Sequence, residues 1–367
     1  MNVTEHRFYY SDGTKITDSL TINFLAKEVD SILLERKNES LNIHSSLISK
    51  NLIDPVSLDT LRMAIRKSLL ESNPKNQQGV LSLSEEWLLN VGVIVFDNKK
   101  GQIVSYQNAS DTLDEIGSKQ LRGMSRKFFG MLMTLDSNYG GYHADSTYHY
   151  EKKEYGRTHQ ADYPLKRLFS SHFGGIPHYP DENFTLAEWT HACRQYMWDT
   201  ELYPVNMQGG PVLTEMNLIG LHSAFTTLMN GGEYRKPSSV VMVKNEKEGT
   251  IIKALKDSRI QVINGATRSE MMELFDYYMN HGYGTYPKRI LGLRDDQIVF
   301  YGRSTEQIDW LLYADDHYTI GIVTNARHVF KEKNGKYYHL RDIGYKLKSP
   351  RKCIPFLRFV LNELQNE

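Results

Sequence analysis

Cysteine is scarce in this chain of 367 residues, which has only Cys193 and Cys353. They lie far apart and form no Cys-x-x-Cys pair, which excludes a disulfide framework and a cysteine-based zinc or redox centre. An excess of one charge is also missing. Lys plus Arg and Asp plus Glu both total 44, and no sustained basic stripe is present to displace counterions from nucleic acid, so nucleic acid is not expected as a partner. No run approaches the ~18 apolar residues of a membrane span, and the opening MNVTEHRFYYSDGTKITDS has no apolar core of the kind a signal peptide needs. Internal repeats and low-complexity tracts are absent. The glycine pairs in GGIP, QGGP and NGGE have neither the lysine nor the helix start of a phosphate loop, so no nucleotide or other cofactor is expected.

What is present is a succession of well-punctuated elements. INFLAKEVDSILLERK carries Phe24, Leu25, Val29, Ile32 and Leu33 near helical spacing and predicts one amphipathic helix. Asp54 before Pro55 opens a second, with Leu58, Leu61, Ile65 and Leu69 as its apolar face. From Trp87 the pattern changes: WLLNVGVIVFD, the turn NKKG and QIVSYQN predict a hairpin of buried strands. Residues 139–180, rich in Tyr, His and Gly, predict a long irregular connection that covers or serves a site. Helices are then expected in FTLAEWTHACRQYMWD, capped by Thr185, and in LTEMNLIGLHSAFTTLMNGG, capped by Thr214 and stopped by Gly231-Gly232. A hairpin in SSVVMVKNEKEGTIIKAL, a helix in TRSEMMELFDYYMNHGYG, three strands (QIVFYGRS, IDWLLYADD, YTIGIVTNA) and a closing helix, IPFLRFVLNEL, complete the chain. This order predicts an α+β fold, an antiparallel sheet flanked by helices. The expected division is a helical linker segment over 1–78 and a main domain over 79–367, whose helical lobe and covering loop span about 115–210.

The phrase GGPVLTEMNLIGLHSAFTTLMNGGEYRKPSSVVMVKNEKEGTII, with LIDPVSLDTLRMAI and VGVIVFDNKKGQIVSYQN before it, resembles the transpeptidase domain of penicillin-binding proteins, particularly class A. The resemblance runs from about Leu52 to about Ala326. It implies a five-stranded or similar sheet with helices on both sides, and three catalytic motifs around one cleft. In that family a Ser-x-x-Lys at a helix start supplies a serine nucleophile and a lysine base, which share a face because they lie three residues apart. The matching stretch here is GMSRKFFG. Gly123 and Lys127 align, which leaves Met124 where the nucleophile belongs, and a thioether forms no acyl-enzyme.

Ser125 is the alternative nucleophile. It sits about 100° around the helix from Met124 and two residues from Lys127, so activation by Lys127 needs a later or irregular helix start; otherwise Ser125 is a helix cap. By the same resemblance the Ser-x-Asn motif falls on Cys193-Arg194-Gln195. Glutamine can replace asparagine as a hydrogen-bond partner, whereas cysteine relays protons poorly; Cys193 is read either as a nucleophile or as a small buried helix residue. The Lys-Thr-Gly motif falls on Arg303, Ser304 and Thr305, where charge and hydroxyl persist but a branched side chain replaces glycine.

The altered motifs imply a catalytically degenerate domain that binds or scaffolds, its cleft holding a peptide such as a peptidoglycan stem peptide, or a protein. An active serine transpeptidase or carboxypeptidase using Ser125 and Lys127 is one competing reading. A metal-dependent hydrolase using His143, Asp145, His149, His159 and Asp162 is another, although their spacing matches no established ligand pattern and no metal is assigned. The tyrosines between Tyr139 and Tyr179 are read either as a sugar- or peptide-binding lining or as packing. The resemblance implies the outside of a bacterial membrane, whereas the opening residues taken alone imply the cytoplasm unless a signal or anchor has been trimmed.

Overall fold

The structure is a computed structural model that describes residues 6–72, 77–82, 84–119, 121, 124–154, 157–170, 184–204, 212–254, 258–304, 308–326, 329–331, 337–339 and 352–365. The side chains of 72, 79, 124–126, 150–154, 157–161, 203–204, 212–214, 329–331 and 337–339 lie outside that description. The predicted α+β architecture is observed. A five-stranded sheet runs in the order Ile298–Arg303, Ile308–Ala314, Tyr318–Asn325, Asn90–Asp97, Gln102–Asn108, with every neighbouring pair antiparallel. All eight residues of Asn90–Asp97 are buried, which is why VGVIVF reads as an unbroken apolar run rather than an alternating one.

Side chains alternate across this sheet and assign its two faces. Phe300 lies opposite Leu312, which lies opposite Gly321, and this face carries two helices. Met124–Leu135 packs Phe128 against Phe300 with ring centroids 6.2 Å apart. Leu218–Met229 sits over Gly321, where an added Cβ would come within 3.1 Å of His222 Cδ2. Arg303, Asp309 and Thr324 share the other face. There Thr324 Oγ1 meets Cys353 Sγ at 3.6 Å, just before the closing helix Ile354–Gln365.

A second sheet joins the N-terminal segment to the later hairpin in the order Arg7–Tyr9, Leu41–Ser45, Val240–Asn245, Ile251–Ala254. The hairpin is as predicted, but Leu41–Ser45 was not: LNIHS is a short alternating run without turn signals around it.

Three further expectations are corrected. The first amphipathic run is two helices, Ser19–Glu28 and Asp30–Glu35, because Val29 leaves helical geometry with φ −123° and ψ 17° while staying buried. The irregular connection contains a hairpin, Thr147–Glu154 paired with Arg157–Pro164, and a helix, Leu165–Ser170; TYHYEKKE has too few apolar residues to signal a strand by alternation. The helix over Gly321 is capped by Asn217, whose side chain accepts from Gly220 N, while Thr214 belongs to the strand Val212–Glu215.

Candidate functional site

The helix carrying the first candidate pair is Met124–Leu135. Met124 and Lys127 are three residues apart in it and so share a face. The side chains of Met124 and Ser125 lie outside the described residues. Lys127 is 2% exposed, with Nζ 5.7 Å from the centroid of the Phe169 ring. An ammonium over an aromatic face gains from the ring quadrupole, more so away from water. Phe169 is fixed in turn by a stack on Phe300 at 5.4 Å and an edge contact with Phe275 at 5.0 Å. The lysine thus sits over an aromatic floor assembled from three separate elements.

The second candidate segment closes the helix Leu186–Gln195. Thr185 and Glu188 make a reciprocal capping box at its start, as the sequence predicts. At its end Met197 adopts φ 55° and Trp198 N donates to Cys193 O at 2.9 Å, a left-handed helix stop in which methionine occupies the usual glycine position.

Two tyrosines bolt this helix to the end of the Lys127 helix. Tyr196 donates to the buried carboxylate of Asp136, and the Tyr139 hydroxyl donates to Gln195 Oε1 at 3.0 Å while lying 2.8 Å from His191 Nδ1. Burial, then the Asp136 charge, pushes the Tyr139 hydroxyl up to about 12. Burial also pushes the Cys193 thiol up to about 11, so it is overwhelmingly protonated at neutral pH and a poor nucleophile. Tyr139 and Asp136 were missed as members of this constellation; their partners are 56 and 60 residues away in sequence.

The third candidate segment is a strand end followed by a turn. Ser304 N donates to Ile308 O at 2.9 Å, and Thr305 lies outside the described residues. Arg303 is directly opposite Asp309, with Nε 2.9 Å from Oδ1. The fully buried Asp309 also receives Lys352, whose Nζ is 2.9 Å from Oδ2. Because Arg303 is three residues beyond Phe300, the pleat sends it to the face opposite Lys127. The structure thus brings the Cys193–Gln195 segment to Asp136 and Tyr139 at the C-terminal end of the Lys127 helix, about 13 Å of helix rise beyond Lys127, and directs the Arg303 guanidinium to Asp309.

The residues weighed as metal ligands form separate pairs. His143 Nδ1 lies 2.9 Å from Glu270 Oε1, His149 Nδ1 lies 2.5 Å from Asp162 Oδ1, and Asp145 accepts from Lys166 at 2.6 Å. The His159 side chain lies outside the description. Among the described residues no three His, Cys, Asp or Glu side chains come together as a metal site.

No known-family model matches this chain, and no curated protein matches it. Solved structures do match. The D,D-transpeptidase domain of a peptidoglycan glycosyltransferase from Eggerthella lenta superposes with a TM-score of 0.61 at 11% identity, covering 99% of each chain. The penicillin-binding protein PonA1 from Mycobacterium tuberculosis gives 0.57 at 13% identity, covering 94% of this chain and 90% of that one. Penicillin-binding protein 3 from Mycobacterium tuberculosis gives 0.54 at 10% identity, covering 99% and 96%. The fold is therefore that of a penicillin-binding-protein transpeptidase domain, in agreement with the resemblance read from the sequence. Among the described residues no helix is long and apolar enough to cross a membrane.

Proposed function

We propose that this chain is a catalytically degenerate transpeptidase-like domain that binds a peptide without acylating itself. What supports this reading is that Met124 and Lys127 lie in one helix, Met124–Leu135, so the residue one turn before the lysine is a methionine. A thioether has no proton to surrender and cannot become an acyl carrier. The other motif positions support the same reading. Cys193 is held as a thiol by burial, and a peptide carboxylate seeking Arg303 would have to compete with Asp309, which already balances it at 2.9 Å.

A peptide ending in D-alanyl-D-alanine is the first ligand to try, and NMR titration reports both binding and turnover. Shifts at Lys127 and around Cys193 to Gln195 without release of D-alanine support the proposal. Release of D-alanine that is lost in Ser125→Ala contradicts it in favour of an active serine enzyme, and a peptide that moves no resonance removes the stem peptide as ligand.

A further inference from the structure

A concavity of about 420 Å³ opens between the turn of the first hairpin, the segment leading into Val240, the strand Ile251–Ala254 and the end of the helix Ser19–Glu28. Lys100, Arg235, Lys236 and Lys253 line it, and among the described residues Glu28 is the one carboxylate in its lining.

The Glu28 carboxylate is held by neutral donors rather than by a direct ion pair with these cations. Oε2 accepts from Ser238 Oγ at 2.8 Å and Val240 N at 3.1 Å, and Oε1 accepts from Ser239 N at 2.9 Å and Ser239 Oγ at 2.5 Å. Lys253 Nζ lies 3.3 Å from the Glu28 backbone oxygen, not its carboxylate. Lys100 is partly balanced by Asp97 at 3.3 Å, and Lys236 has no carboxylate partner among the described residues.

Arg235 is held in place rather than free to swing. Nη1 donates to Asn98 O at 3.2 Å, and the side chain lies so close to Gly101 that a Cβ there would meet Nη1 at 2.5 Å. Its Nε is buried without a hydrogen-bond partner among the described residues. In the two-stranded sheet Arg235 stands directly opposite Arg259, which has the Glu233 carboxylate at 3.9 Å.

We propose that this cleft binds a phosphate group carrying two or more negative charges, a phosphomonoester or pyrophosphate, between Arg235, Lys236 and Lys253. A single carboxylate would satisfy one of these cations. A phosphate presents several acceptor oxygens and suits a guanidinium fork flanked by ammonium groups. The volume falls in the range of small-molecule sites and leaves room for whatever the phosphate is attached to.

The test is calorimetric titration of the full chain with inorganic pyrophosphate at low salt, beside cosedimentation with phosphatidylcholine vesicles with and without phosphatidic acid. Lys236→Gln with Lys253→Gln is expected to weaken the interaction about tenfold or more while leaving thermal stability without ligand unchanged. Arg235→Lys is expected to weaken it as well. Pyrophosphate binding without cosedimentation assigns the group to a soluble ligand, and charge-dependent cosedimentation lost in the double variant assigns it to a lipid headgroup. The proposal is overturned if neither probe binds, or if the double variant binds as the parent chain does.

Discussion

Arg303 and Asp309 face each other across a tight antiparallel hairpin, Nε to Oδ1 at 2.9 Å, and Lys352 closes on the other carboxylate oxygen at 2.9 Å. The strand Ile298–Arg303 thus ends by feeding its cation into a buried charge cluster. Asp309→Ala would leave the Lys352 ammonium, 3% exposed, without its carboxylate. A loss of about 3–5 kcal/mol is expected, measured by urea unfolding. Asp309→Asn keeps the shape and should lose nearly as much, since it is the charge that Lys352 and Arg303 require.

His222 is buried and its Nε2 lies 2.9 Å from Thr319 O. Burial lowers its pKa to about 4 from the ordinary 6.5, only partly opposed by the hydrogen bond to Thr319. Between those values the unfolded chain holds more protons than the folded one. Its contribution is therefore complete above pH 6.5 and falls away as pH drops toward 4, by about 3 kcal/mol. His222→Gln keeps a donor for Thr319 O without the titration, so its stability should fall less between pH 7 and pH 4.5 than that of the parent chain.

Met197 marks a different kind of cost. Its φ of 55° lies in the left-handed region that disfavours residues with a Cβ, and its side chain is 44% exposed. Met197→Gly removes the strain and little packing, while enlarging the unfolded ensemble. The expected net gain is up to about 1 kcal/mol, read as a rise in the midpoint of thermal unfolding.

Much of this architecture was legible in the sequence, for identifiable reasons. The buried hairpin from Asn90 to Asn108 announces itself by β-branched residues around NKKG, and the Thr185 to Glu188 capping box by its spacing. Elements whose signal depends on a distant partner were not legible. Leu41–Ser45 becomes a strand because Val240–Asn245 pairs with it, and Asn217 outcompetes Thr214 as a cap because Val212–Glu215 pairs with Glu201–Pro204. The Arg303 to Asp309 pair required the hairpin register, and Lys352 arrives from beyond the sheet altogether.

Cys193 offers a chemical check on the second motif. Burial raises its thiol to about 11 from the ordinary 9.0. Alkylation near pH 8 should be about a hundredfold slower than for an unperturbed thiol, and should keep accelerating as pH rises past 9. Mass spectrometry of the Cys193 peptide over a pH series reads this directly. Rapid modification at neutral pH would restore Cys193 as a nucleophile.

The proposed degeneracy requires that the helix Met124–Leu135 carry no acylatable group in register with Lys127. Incubation with a fluorescent penicillin, followed by intact-protein mass spectrometry, tests it most directly. The expected result is the unmodified mass of the chain after prolonged exposure. A stable acyl adduct on the native chain, abolished by Ser125→Ala and retained in Met124→Ala, would contradict the account and make Ser125 the nucleophile.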